Sequence, residues 1–357
     1  MNSRDDLLKL ALPTRDLEEL RCSELRQKDP KTMIEKMIVE GWTEFDQSAN
    51  LSDLLKGAWN LRRKSFPDFI HFAVPGGRHY DGKYFSNAGR FLNVSITGMA
   101  CALQCDHCQG TMLNGMIPAP TPEILQELGT TLRKKGVTGL LITGGCNHEG
   151  QVPLKPFLAV IAYLKSLDFT IHVHTGLADK ETAVGLKRAE VDKVFLDMIG
   201  DSATIRKVYH LDRKPNAYIN ALEILLAENL DVVPHVVLGL NYGKIMGEEN
   251  IIQTLSDYPL ETLVLVALRS VPGTPMGGVS GPDPAEIVRI TAQTRLLNPS
   301  LKLSFGCARP YTQKAWLERG LIAAGINTLA FPLDETIDFA LAHGLEPVMS
   351  EMCCGGL

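Results

Sequence analysis

From Phe91 onward, short runs of β-branched and other apolar residues alternate with longer stretches whose apolar positions recur every three or four residues. Runs of the first kind suit strands buried on both faces of a parallel sheet, and stretches of the second kind suit the helices that cover it. Eight strands are predicted: Phe91–Ile96, Gly139–Thr143, Thr170–His174, Lys193–Asp197, Val232–Leu238, Thr262–Leu268, Leu301–Phe305 and Asn327–Phe331. Among the helices between them, Thr121–Lys135 opens on Thr-Pro-Glu. The threonine is placed to cap the first free amides, and the proline stands where a missing N–H costs little. Eight strand–helix repeats in about 250 residues predict an α/β fold, a (β/α)8 TIM-type barrel over residues 91–333. An open doubly wound sheet is the alternative.

The flanking residues read differently. Asp16–Gln27, Asp29–Glu40 and Asn50–Lys64 have the spacing of three amphipathic helices, and Asp68–Phe91 has the glycine-rich turns and aromatics of a hairpin or irregular cap. Residues 1–90 are therefore expected to form an N-terminal helical extension. Residues 334–357 are expected to hold one helix, Asp334–His343, and a cysteine-containing tail ending Met352-Cys353-Cys354-Gly355-Gly356-Leu357.

Composition narrows the function. Apolar residues make up 45% and charged residues 22% of the 357 positions, so a sizeable core is available. A net charge of −5, with no lysine or arginine block, offers no field for nucleic acid. No run of about 18 apolar residues appears, and the polar start Met1-Asn-Ser-Arg-Asp-Asp lacks a signal-peptide core, so a cytoplasmic protein with no membrane partner is expected. The eight cysteines then read as reduced thiols rather than a disulfide framework.

Three of them carry the chemistry. Cys101-Ala-Leu-Gln-Cys105-Asp-His-Cys108 directly follows the first predicted strand and Thr97-Gly98, on the face where a barrel keeps its active site. Three thiolates on a 4Fe–4S cluster leave one iron open to an outside ligand. A zinc site is the competing reading, but zinc wants a fourth protein ligand and no Cys-x2-Cys partner supplies one.

This spacing resembles the defining motif of the radical S-adenosylmethionine (SAM) enzymes, with His107 where the family has an aromatic residue. The resemblance implies that SAM chelates the open iron and is cleaved by one electron to methionine and a 5′-deoxyadenosyl radical. It also implies that Thr143-Gly144-Gly145 holds the methionine moiety of SAM on bare backbone. Cys146 stands where many members carry glutamate, and Glu149 is a weak substitute. Asp197, ending a strand, would accept hydrogen bonds from ribose or the amino group, whereas Asp201 reads better as a helix cap before Ser202. Val237-Leu238-Gly239-Leu240 resembles the segment that lies against adenine, and Val271-Pro272-Gly273-Thr274-Pro275-Met276 the turn after the next strand.

The order of motifs is similar to the biotin synthase branch, whose auxiliary cluster is held by three inner-strand cysteines and an arginine. Leu141, His172 and Val233 stand at the cysteine positions here and Cys307 at that of the arginine, which argues against biotin synthase itself. Cys22, Cys307, Cys353 and Cys354 are instead the expected ligands of a second 4Fe–4S cluster, with Cys146 left out. Lipoyl synthases place auxiliary ligands in terminal extensions, and the chain resembles one subunit of the two-component form. That resemblance implies sulfur insertion into a lysine-bound octanoyl chain, a lipoyl-carrier protein or octanoyl-lysyl peptide as substrate, a sister radical SAM subunit and a reducing electron donor. Cys307 and Arg309 are the expected catalytic residues, with His172 and His174 either orienting substrate or satisfied within the barrel. A single-cluster mutase or cofactor-maturation lyase is the second enzymatic reading. An iron–sulfur electron-carrier or assembly subunit is the non-enzymatic one.

Overall fold

The computed structural model describes residues 49–357. Cys22 and the helices expected at 16–27 and 29–40 lie outside the described residues, while the third expected helix is present as Ala49–Ser65.

Among the described residues, eleven parallel strands form one curled sheet. They are β1 Phe69–Ala73, β2 Phe91–Ser95, β3 Ile117–Pro118, β4 Gly139–Thr143, β5 Thr170–His174, β6 Lys193–Asp197, β7 Val232–Leu238, β8 Thr262–Ala267, β9 Lys302–Phe305, β10 Thr328–Ala330 and β11 Glu346–Ser350. The order across the sheet is β11-β1-β10-β9-β8-β7-β6-β5-β4-β2-β3. All eight expected strands are there, as β2 and β4 to β10. The helix expected at 121–135 runs Pro122–Lys134, and Thr121 caps it by accepting from the Ile124 amide at 3.3 Å.

The eight strands do not close on themselves. β1, from the segment expected to form a hairpin or cap, pairs with β10 in the place a closed barrel would give to β2, and β11 pairs with β1 beyond it. Among the described residues no strand pair joins β1 or β11 to β2, so the barrel is an open, curled sheet. Only a small antiparallel bridge, Asp81 with Ser86, remains of the expected hairpin.

Side-chain alternation divides the sheet into two faces. Ile171 and Val173 of β5, Val194 and Leu196 of β6 and Val232, Val236 and Leu238 of β7 belong to the large core under the helices. Phe195, Val233, Val264 and Ala330 form a second apolar cluster on the concave face, joined there by Cys354 and flanked by Leu141, Cys353 and Leu357. The concave lumen is therefore filled partly by residues that follow β11. Among the described residues no helix is long and apolar enough to cross a membrane.

Candidate functional site

The cysteine loop leaves the carboxyl end of β2 and is folded by its own backbone. Cys105 O accepts from the Cys108 amide at 3.0 Å and the Gln109 amide at 2.8 Å, and Cys108 O accepts from Thr111 Oγ1 at 2.6 Å. Gln104 and Gln109 take positive φ of 47° and 44°, so the loop reverses direction tightly around the thiols. Cys105 donates to Cys108, which holds Cys108 well below the usual thiol range against its burial, with His107 adding to the effect; Cys105 is raised in turn.

The turn after β4 packs directly on this loop. Gly145 donates its N–H to Thr97 Oγ1 at 2.7 Å, and the Ala102 amide donates to Cys146 O at 2.8 Å. A Cβ at Gly145 would stand 2.1 Å from Ala100 O and 2.5 Å from the Cys101 Cβ. Glycine at 145 is thus required by the close approach of the cysteine loop itself, and Thr143 O is taken by the Ile96 amide at 2.8 Å. A cleft of about 450 Å³ opens over this junction, lined by Met99, Cys101, Gln104, Gly145, Cys146 and Asn147 among others. Cys146 faces the motif thiols, and burial, with the charges of Cys101, Asp197 and Cys108 adding, pushes it up to about 12. Glu149 is exposed, its amide held by Asn147 Oδ1.

Asp106 was not singled out by the sequence. Its amide donates to Val208 O at 2.9 Å, its Oδ1 lies 3.0 Å from His210 Nε2, and its Oδ2 accepts from Tyr242 Oη at 2.5 Å. The cysteine loop is thereby tied to the helix Ser202–Val208 and to the loop after β7. The signal was faint: His210 and Tyr242 hold positive φ of 58° and 51°, which sequence does not display. Asp201 is the cap of that helix, accepting from the Thr204 amide at 2.7 Å.

His107, within the cysteine loop, has its ring 5.4 Å from that of Tyr209 and its buried Nδ1 without a partner. Asp197 ends β6 on the lumen side, 3.4 Å from His174 Nε2. Burial alone would raise Asp197 and lower His174; their mutual attraction outweighs it, so Asp197 is lowered and His174 raised. His235 of β7, also unforeseen, stacks 4.9 Å from Phe195 beside them.

Leu238 and Gly239 are placed differently from the expectation. Leu238 turns outward into the helix-facing core, and its carbonyl accepts from the Leu268 amide at 2.8 Å. Gly239 N–H donates to buried Glu248 Oε1 at 2.9 Å, and a Cβ there would meet Pro282 Cδ at 2.6 Å.

Residues 351–357 turn inward from the end of β11. Glu351 anchors the turn by accepting from the Ala88 amide at 2.9 Å and the Arg90 amide at 2.6 Å. The turn of 3-10 helix Cys354–Gly356 then enters the lumen against β6, β8, β9 and β10. Cys353 hydrogen-bonds with Cys354 and with His172, which lowers it well below the usual thiol range despite its burial, and Cys354 is raised correspondingly. Cys307, exposed at the rim after β9, is near enough for its charge and that of Cys353 to interact. Next to it, a Cβ on Gly306 would stand 3.6 Å from Cys354 Sγ. Three of the four cysteines expected to act together are therefore neighbours.

Arg309 needs correction as a catalytic residue. It is buried, with Nε 3.2 Å from Glu318 Oε1, Nη1 donating to Gly306 O at 3.0 Å and Nη2 to Phe331 O at 2.9 Å. Glu318 also accepts from Thr336 Oγ1 at 2.6 Å. With four of its five N–H donors committed, the buried guanidinium locks the Cys307 loop to the helix Lys314–Ala323.

Among the described residues no trio of His, Cys, Asp or Glu converges on a point that could hold one metal ion. Ligands of a cube grip different irons and stand further apart than those of a single ion. The close-packed glycine, the thiolate and the cleft over Cys101 fit a cluster with one iron open to a ligand.

No family model matches the chain. Among curated proteins, the biotin synthase of Neorickettsia sennetsu is 26% identical over 290 residues, covering 78% of this chain and 82% of that protein. The biotin synthase of Rickettsia felis is 29% identical over 249 residues, covering 67% and 78%. Among solved structures, methylornithine synthase (PylB) matches with a TM-score of 0.59 at 13% identity, over 88% of this chain and 97% of that one. The FeFe-hydrogenase maturase HydG from Carboxydothermus hydrogenoformans matches at 0.60 and 16%, over 89% and 80%. At these identities the structural likeness establishes the fold.

Proposed function

The chain belongs to the radical SAM superfamily, on its biotin synthase-like branch, and from that premise we propose that it inserts sulfur at an unactivated carbon, of a lysine-bound octanoyl chain in the lipoyl synthase manner. Cys101, Cys105 and Cys108 would hold the 4Fe–4S cluster, with SAM entering through the cleft over Cys101, Gly145 and Cys146. When bound, that pair supplies a reductant-driven cleavage to methionine and a 5′-deoxyadenosyl radical, which takes a hydrogen atom from the substrate carbon. Cys307, Cys353 and Cys354 would hold a second cluster in the lumen, which would serve as the sulfur source and take up the electron released as the C–S bond forms.

The observation that carries this reading is the seating of Cys353 and Cys354 beside Cys307 in the lumen. Leu141, His172 and Val233, which stand where biotin synthase is expected to have its inner-strand cysteines, face the same space. The thiols absent from the strands are thus offered by the residues after β11. The chain's own part is to exclude water, through the apolar cluster of Phe195, Val233, Val264 and Leu357, and to fix the reacting groups. A displacement of about 1 Å can cost about 10²-fold in rate. Glu351 and the Arg309–Glu318 pair serve that positioning from either side.

The test is to supply the reconstituted protein, under anaerobic conditions, with SAM, dithionite and an octanoyl-lysyl peptide, alone and with a sister radical SAM subunit. Mass spectrometry should show a thiolated peptide formed with 5′-deoxyadenosine, and Cys353→Ser should abolish the thiolated product while leaving SAM cleavage in place. SAM cleavage with no sulfur transfer in either mixture would favour a single-cluster mutase or lyase.

A further inference from the structure

With a second cube seated in the lumen, as the proposed function requires, the three thiols there leave one of its ligands unassigned, and the identity of that ligand rests on the same reading. His172 is 1% exposed, yet its Nδ1 has no hydrogen-bond partner. A buried polar atom left so costs about 1–3 kcal/mol, a penalty removed if a group outside the polypeptide completes it. The ring is clamped between Phe91 and Phe195, each centroid 5.1 Å away, so it cannot swing out to water. Toward the tail it meets Gly356, where an added Cβ would fall 2.8 Å from Nε2, and the Cys353 thiol, to which it hydrogen-bonds. Gly355 packs equally closely on Phe195, its Cβ position 3.0 Å from the ring. The two glycines after the cysteine pair are therefore what lets the tail lie flat on His172 and Phe195.

We propose that His172 is the fourth ligand of the lumen cluster, completing the set Cys307, Cys353 and Cys354 with an imidazole nitrogen, and that Cys22 is not required. The strand supplies this ligand at a fixed place, and the tail brings thiolates to it. An imidazole in place of a thiolate removes one negative charge from the centre and raises its potential, which suits a cluster that must accept an electron as its sulfide leaves.

The experiment uses the full chain carrying Cys101→Ala, Cys105→Ala and Cys108→Ala, so that only the lumen centre remains. The protein is labelled with 15N-histidine, reconstituted anaerobically with ferrous iron and sulfide, and reduced with dithionite. We expect about four irons per chain and a strong 15N coupling in pulsed EPR. His172→Cys should keep the iron and lose the coupling, and Cys22→Ser should change neither. Four irons with no coupling, coupling that survives His172→Cys, or iron lost in Cys22→Ser would overturn the assignment of His172 while leaving the lumen cluster standing. Iron near zero in the parent triple variant would overturn both together.

Discussion

Asp106 accepts a hydrogen bond from Tyr242 Oη at 2.5 Å, across 136 positions of sequence, and so ties the cysteine loop to the loop after β7. With His210 on its other oxygen, this carboxylate is the strut that keeps Cys105 and Cys108 in place. A group hydrogen-bonded directly to a metal ligand is typically worth about 10- to 100-fold in metal affinity, and Asp106 acts one step further out, through the shape of the loop. Tyr242→Phe and Asp106→Asn should shorten the survival of the first cluster against a chelator by up to about 10-fold. Survival equal to wild type would mean that the loop holds its shape without the strut.

Gly145→Ala tests the contact between the β4 turn and the cysteine loop. The new methyl meets Ala100 O and the Cys101 Cβ well inside contact distance, and both are backbone-fixed. Iron content should fall by about four per chain, that of the first cluster, with far-ultraviolet circular dichroism unchanged. Full iron loading would show that the loop gives way freely.

Arg309 is expected to act on stability and not on chemistry. Arg309→Met removes one charged partner of buried Glu318 and leaves Lys314, 3.4 Å away, so the cost in denaturant unfolding of the apo protein should lie below the roughly 3–5 kcal/mol of a fully broken buried pair. Arg309→Met combined with Glu318→Gln should recover part of that loss. A variant as stable as wild type but inactive would restore the catalytic role.

His71 on β1 gives the apo protein a pH dependence. Burial, with Lys302 adding, holds His71 below its ordinary 6.5. The unfolded chain therefore takes up a proton that the folded one refuses. Its contribution is fully present above pH 6.5 and is lost as pH falls from there through the depressed value. Urea midpoints measured from pH 7.5 to 5 should fall, and His71→Gln should flatten part of that slope; a parallel slope in the variant would exclude His71. His343, lowered chiefly by burial, contributes in the same direction.

The eight strands were legible because each is a run of apolar or β-branched residues that serves both faces of a parallel sheet. β1 and β11 were not. Phe-Ile-His-Phe-Ala is short and follows Pro67-Asp68, and Glu346-Pro347-Val348-Met349-Ser350 carries a proline and polar ends that weaken its strand pattern. Their pairing decides that the barrel stays open, and local pattern holds no record of which edge a strand will join. The cysteine motif was legible because its spacing is local. The Asp106–His210–Tyr242 strut and the approach of His172 to Cys353 were not, since each unites residues more than 100 positions apart. Arg309 was misread because a strand-end arginine looks the same whether it faces the lumen or a buried glutamate.

The central claim is that the chain holds two clusters, one in the loop after β2 and one in the lumen. Iron and sulfide per chain after anaerobic reconstitution test it most directly, comparing wild type with the Cys101→Ala, Cys105→Ala, Cys108→Ala variant and with the Cys353→Ser, Cys354→Ser variant. The expected result is about eight irons in wild type and about four in each variant. About four in wild type, unchanged by the loss of Cys353 and Cys354 and falling to near zero without the motif cysteines, would contradict it.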